Sequence, residues 1–165
     1  MERRRLRQGL IQVYTGDGKG KTTAALGQAL RAVGHGLNVI IIQFMKGTGY
    51  SGELFSGERL FPNLKIEEYG RGCRWSSLIK NGYLDCTGCG ECFIKKGEGT
   101  KDDKRAMAFA LQRARAVLKD SAYDMVILDE MNMALYFELI TLEDVMAVLD
   151  LKRDNCEIII TGRNA

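Results

Sequence analysis

TGDGKGKTT, residues 15–23, decides the fold. Three glycines in nine residues mark a backbone path that side chains would block. Upstream, Leu10–Tyr14 (LIQVY) is β-branched, aromatic and mostly apolar, and reads as a buried strand. Downstream, TTAALGQALRAVG places Leu26, Leu30 and Val33 at helical spacing and stops at Gly34. Strand, glycine loop, helix is the setting in which G-x-x-x-x-G-K-[ST] becomes a phosphate loop. Gly20-Lys21-Thr22 supplies the G-K-T, while the first position of the pattern falls on Thr15, one place before Gly16. Successive N–H groups of such a loop form a concave nest, and the helix N-terminus adds partial positive charge. Lys21 is placed to neutralise outer phosphates and Thr22 to ligate Mg²⁺ (or Mn²⁺). A glycine-rich turn that binds nothing is the plain alternative, but Lys-Thr at this offset after a strand argues against it. Gly16-x-Gly18-x-Gly20 is not G-x-G-x-x-G, so a dinucleotide fold is a poor second.

The chain has 165 residues and one proline, and 45% of its residues are apolar, enough for an ordered core. Its net charge of +3 comes from Arg3, Arg4, Arg5 and Arg7, opposed in that stretch only by Glu2. Elsewhere acids and bases balance, so the body is not built for nucleic acid, and the basic tail reads as a solvated arm. No long apolar run follows the tail and none reaches membrane-spanning length. A cytoplasmic protein with reduced or metal-holding cysteines is the expectation.

Elements alternate along the chain. Leu37–Phe44 (LNVIIIQF) is a near-continuous apolar run, as for a strand covered on both faces. Leu64–Tyr69 is a weaker strand, and Met125–Asp129 and Cys156–Thr161 are two more buried ones. Lys104–Asp120 is helical, and Thr141–Asp144 reads as a capped helix start. This pattern predicts an α/β fold of the P-loop NTPase (RecA-like) kind: a mostly parallel sheet with helices on both faces. The expectation is one domain over residues 1–165, with a cysteine- and glycine-rich insertion at about 70–100 lying at the ligand end of the sheet.

A second landmark is DMVILDE, Asp124–Glu130. An apolar strand ending in Asp-Glu delivers two carboxylates to the edge where the phosphate loop opens. Asp129 is placed to hold Mg²⁺ and Glu130 to orient a nucleophile or a ligand's partner. Ordinary solvated acids are the alternative, weakened by the phosphate loop. His35, the sole histidine, lies after a helix and suits capping or turn packing better than catalysis. CTGCGEC gives Cys86, Cys89 and Cys92 a C-x₂-C-x₂-C spacing, with Cys73 upstream as a possible fourth ligand. The options are a [4Fe–4S] cluster, zinc, or free thiols. Cys156 begins a core strand and reads as simply buried.

GLIQVYTGDGKGKTTAALGQALRAVGHGLNVIIIQFMKG, YGRGC, DMVILDEMNMAL and IIITGR together resemble the P-loop ATP:corrinoid adenosyltransferases. The resemblance runs from Gly9 to Arg163 and breaks within residues 70–100. It implies transfer of the 5′-deoxyadenosyl group of ATP to the Co(I) of a reduced corrinoid, with release of triphosphate. It assigns Gly16, Asp17, Gly18, Lys19, Gly20, Lys21, Thr22 and Thr23 to the triphosphate, with Lys21, Asp129 and Glu130 as the catalytic groups. Arg163, in the TGR after the last strand, reaches nucleotide or a partner subunit, or is a surface charge. Trp75 matches a corrinoid-packing aromatic, although its companion position here is a cysteine. A homodimer and an electron donor such as a flavoprotein are also implied. Family chains continue past the TGR strand, so a tail is expected to be absent here. The competing classes are a P-loop ATPase or kinase of another pathway, and a nucleotide-binding redox or metal sensor.

Overall fold

A computed structural model describes residues 6–47 and 51–164. Arg3, Arg4 and Arg5 of the basic tail lie outside the described residues. Five strands, β1 (Ile11–Tyr14), β2 (Val39–Phe44), β3 (Leu64–Tyr69), β4 (Met125–Asp129) and β5 (Glu157–Thr161), form one sheet in the order β1-β5-β4-β2-β3. Every pairing is parallel, with Gln43 opposite Asp129 and Tyr14 opposite Thr161. The helices are α1 (Lys21–Gly34), α2 (Gly52–Arg59), α3 (Ser76–Lys80), α4 (Lys101–Lys119), α5 (Met131–Tyr136) and α6 (Leu142–Leu149).

Both faces of the sheet are covered, so the central strands read as unbroken apolar runs. On one face Val39, Ile41, Ile127 and Ile159 meet Ala25, Ala29 and Ala32 of α1. On the other, Ile40, Ile42, Val126, Leu128 and Ile158 meet Met107, Leu111 and Leu118 of α4 and Val145 and Val148 of α6. The chain leaves β2 toward the first face and β4 toward the second. These neighbouring strands therefore open a crevice at their carboxyl ends, the usual ligand position in such sheets.

Two expectations need correction. Residues 10–14 are not a buried strand: β1 is the sheet edge, with Ile11 44% and Val13 49% exposed because no helix covers that side of it. The buried stripe of α1 is Ala25, Ala29 and Ala32, while Leu30 points outward. Small residues let α1 lie close to the sheet. The capped start at Thr141 is present as a reciprocal capping box with Asp144. His35 caps α1, its backbone N–H donating to the carbonyls of Arg31 and Ala32. No helix among the described residues is long and apolar enough to cross a membrane.

Residues 70–100 join β3 to α4, and their only regular element is α3. The base of this segment is tied. Arg71 Nε donates to Asp103 Oδ1 at 2.7 Å, and Asp103 is itself the buried third residue of the capping box that starts α4. Ile94 plugs into the core from the middle of the segment.

Glu67 of β3 is clasped by Arg113 of α4 through bonds of 2.8 and 3.0 Å. Burial alone would raise the Glu67 carboxyl, but hydrogen bonds from Arg113, Lys65 and Tyr69 outweigh it and hold its pKa at about 2. A depressed carboxylate pKa contributes stability above its unfolded value, and that contribution is lost as pH falls toward the folded one. Glu67→Gln is therefore expected to cost about 1 kcal/mol at pH 7, a Tm loss of about 2–4 °C. The gap between variant and parent should close between pH 4.5 and about 2. Thermal melts over that range check it, and equal Tm values at pH 7 would show that the clasp does not stabilise.

Candidate nucleotide site

The loop from Thr15 to Gly20 leaves β1 and enters α1 with Gly16 at φ 117° and Gly20 at φ 108°. A Cβ at either glycine would meet nothing within 4 Å. The backbone conformation, not crowding, is what demands glycine there. Lys21 folds back, its Nζ donating to the carbonyls of Gly16 and Gly18 at 2.6 Å each, so the loop curls around an ammonium. Gly20 caps α1 without a side chain, and the first turn of α1 carries no acid. By contrast α4 and α6 each begin with a capping box and two acids in the first turn. The N-terminus of α1 thus keeps its N–H groups and positive end open to an anion.

Across from this loop, Asp129 ends β4 with its carboxylate fully buried. Oδ1 accepts from Thr22 Oγ1 at 2.8 Å and from Thr161 Oγ1 at 2.7 Å. Oδ2 accepts from Gln43 Nε2 and from Lys46 Nζ, both at 3.0 Å. Burial by itself would raise this carboxyl, but the Lys46 charge and the bonds from Thr161, Lys46 and Thr22 bring it below its ordinary value. Glu130, one residue on, goes the other way: burial and the Asp129 charge push it up. Glu130 takes a left-handed backbone at φ 61° to start α5, and its N–H donates to Thr161 Oγ1 at 2.9 Å. The charges of Lys46, Lys21 and Arg163 all reach Glu130.

The structure thus brings Lys21, Thr22, Asp129, Glu130 and Arg163 to one edge. Asp17, Gly18 and Lys19 are exposed on the loop. Thr23 faces aside, lining a cavity with Leu26, Glu53 and Leu60. Trp75 is 47% exposed at the start of α3 in the 70–100 segment. Gln43, Lys46 and Thr161 also reach Asp129, and motif reading gave none of them a role. Gln43 and Thr161 look like core positions in their strands, and only the parallel register turns them toward Asp129. Lys46 is set by close backbone packing: a Cβ on Gly70 would lie 2.5 Å from the Met45 carbonyl carbon, and one on Gly47 would lie 2.4 Å from Arg71.

The donor set suits a magnesium ion. A buried carboxylate and a threonine hydroxyl meet at 2.8 Å, and an ammonium already rests on the same carboxylate. Gln43 Oε1 is buried beside them without a hydrogen-bond partner, an acceptor positioned for metal-bound water.

Residues 7–165 match the family model described as ATP:corrinoid adenosyltransferase BtuR/CobO/CobP. The chain belongs to this family. It is 36% identical over 157 residues to the corrinoid adenosyltransferase of Escherichia coli strain K12, covering 94% of this chain and 68% of that one. It is 34% identical to the corrinoid adenosyltransferase CobA of Salmonella typhimurium, with the same coverage. A corrinoid adenosyltransferase of Sinorhizobium sp is 31% identical over 159 residues, 96% of this chain and 65% of that one.

Lys46 balances the Asp129 charge, with Glu53 as a second carboxylate at 3.5 Å. Lys46→Met leaves a buried charge uncompensated and is expected to cost about 1–3 kcal/mol when melted in EDTA. Millimolar Mg²⁺ should restore part of the lost Tm in the variant more than it raises the parent's. An unchanged Tm in EDTA would show that the ion pair carries no weight.

Proposed function

We propose that this chain transfers the 5′-deoxyadenosyl group of ATP to the Co(I) of a reduced corrinoid and releases triphosphate. The observation that carries the reading is the Thr22–Asp129 contact of 2.8 Å, which joins the first turn of α1, a turn without an acid at the end of the glycine loop, to a buried carboxylate in a member of this family.

The electron pair of Co(I) forms the Co–C5′ bond as the C5′–O bond breaks, and the departing oxygen takes the second pair. Negative charge therefore grows on the triphosphate, not on a transferred phosphoryl group. The residues in hand answer to that charge. The nest of Gly16–Gly20, the open N-terminus of α1 and the Lys21 ammonium surround the place where it lands. Mg²⁺ (or Mn²⁺), held by Thr22 and Asp129, would supply further charge neutralisation at the phosphates. For a triphosphate to bind, Lys21 exchanges its carbonyl partners at Gly16 and Gly18 for phosphate oxygens. Gly16 and Gly20 hold the loop in backbone conformations that residues with a side chain rarely adopt.

The corrinoid side of the reading rests on fewer contacts. Trp75 is an exposed aromatic ring available to pack against a flat macrocycle. Arg163 follows β5 at the same edge, in reach of nucleotide or of a second subunit in a homodimer. A low-potential donor such as a flavoprotein supplies the electron that makes Co(I). The domain reading, one α/β unit interrupted at about 70–100, goes with this assignment.

Anaerobic assay with chemically reduced corrinoid and ATP tests it. The expected products are adenosylated corrinoid and triphosphate in equal amounts, whereas ADP and phosphate would indicate an ATPase or kinase. Lys21→Ala should lower the rate by at least about 100-fold in a folded protein. Near-normal turnover by that variant would sink the loop assignment. Asp129→Asn should raise the Mg²⁺ concentration needed for half-maximal rate by about tenfold or more while leaving corrinoid affinity within about twofold. Trp75→Ala should spare ATP binding and weaken corrinoid binding. Equal losses for both ligands would make Trp75 structural instead.

A further inference from the structure

The nucleotide site uses none of the five cysteines, and of these Cys156 is buried in the core. Cys73, Cys86, Cys89 and Cys92 all lie in the segment between β3 and α4. Two of the four are fixed by the fold. Cys73 comes two residues after Arg71, which is clamped to Asp103 at 2.7 Å. Cys92 comes two residues before Ile94, which is buried in the core. These two thiols, 19 positions apart in sequence, line one cavity of about 380 Å³ together with Lys46, Arg71 and Ser76.

The other two lie on an exposed arm that folds back toward the first pair. Arg74 Nε donates to Glu91 Oε2 at 3.1 Å, tying the residue after Cys73 to the residue before Cys92. The same guanidinium lies within electrostatic reach of both Cys73 and Cys89. Gly88 and Gly90, the two residues flanking Cys89, have φ of 69° and 76°. Left-handed turns on both sides of a cysteine let closely spaced side chains point to one centre without Cβ strain. Among the described residues no three metal-ligating side chains are yet gathered at coordination distance. Loading has to draw the exposed Cys86 and Cys89 onto Cys73 and Cys92.

We infer that these four thiolates form a site for a thiophilic metal centre, either one zinc ion or one [4Fe–4S] cluster. Four thiolates exceed the charge of either centre and leave a net negative site. Arg74 beside the thiols, and Lys46 and Arg71 on the cavity wall with Glu68, are paired with Glu91, Asp129 and Asp103, so a loaded centre shares these cations with those acids. Loading pins residues 73–92 to the wall that Lys46 shares, and so fixes the surface next to the Asp129 carboxylate. The inference rests on the cysteines and holds whatever reaction the nucleotide site performs.

The test is metal and acid-labile sulfide analysis of the full chain, purified anaerobically from cells supplied with both iron and zinc. About one zinc per chain, or about four irons with matching sulfide, is expected, and which of the two appears identifies the centre. Cys73→Ser and Cys89→Ser should each lower occupancy at least tenfold, while Cys156→Ala, a buried cysteine outside the segment, should leave it unchanged. Binding of an ATP analogue by each variant controls for folding. Metal-free protein whose four thiols all react freely with a thiol reagent overturns the inference. So does full metal content in the Cys73→Ser variant, or a Cys73–Cys92 disulfide in protein isolated without oxidant.

Discussion

The arrangement depends on a carboxylate that has no access to water. Asp129 is fully buried, and a lone buried charge costs several kcal/mol unless it is paired and hydrogen-bonded. Here four side chains from three other parts of the chain meet it: Thr22 from α1, Thr161 from β5, and Gln43 and Lys46 from β2 and its exit. Each partner fixes a different neighbour. Thr22 sets α1 and with it the glycine loop. Thr161 sets the end of β5 and, through the Glu130 N–H, the start of α5. Lys46 sets the loop that leaves β2, which is locked against the loop leaving β3 by the close approach of Gly47 and Gly70. The crevice at the sheet's carboxyl edge is shaped by this one cost.

The same carboxylate explains which parts of the site were legible in sequence. Lys21 and Thr22 sit at fixed offsets from a glycine loop, and Asp129 ends an apolar run, so local pattern was enough to find them. Gln43 follows a run of isoleucines, and nothing local says that its amide faces an acid on the neighbouring strand. That fact comes from register, Gln43 opposite Asp129, and register is a property of the folded sheet. Thr161 was legible as a strand end but not as the bridge between Asp129 and the backbone of Glu130. The edge position of β1 was hidden for a related reason. Its apolar residues fit a central strand equally well, and strand order decides which faces are covered. In α1 the spacing of Leu26 and Val33 held, since both pack against the core, but Leu30 turns outward and alanines fill the closest approach to the sheet, where small side chains are favoured.

Helix ends show how the fold separates structural from functional charge. At α4 and α6 the orphan N–H groups are satisfied internally by Thr100 with Asp103 and by Thr141 with Asp144. Asp103 also anchors Arg71, so one capping residue closes the base of the 70–100 segment. At α1 the equivalent groups have no side-chain cap, and the ammonium of Lys21 is parked on loop carbonyls. The starts of α2, α3 and α5 also lack a side-chain cap, but α1 is the one that the glycine loop enters and whose first turn meets Asp129 through Thr22.

Asp129 and Glu130 are neighbours in sequence whose environments push them in opposite directions, the first below its ordinary pKa and the second above it. In hydrolases and isomerases such a split separates an acid from a base. The proposed displacement at C5′ moves no proton, because Co(I) brings an electron pair and the triphosphate leaves as an anion. The split then has a different use. Asp129, kept ionised by Lys46, Thr22 and Thr161, is a fixed anion for a cation to rest on. Glu130 is raised by burial and by the Asp129 charge, and the charges of Lys46, Lys21 and Arg163 oppose that rise. These cations, set against the two carboxylates, leave the edge able to accept the triphosphate that Lys21 and the α1 N-terminus are arranged to hold.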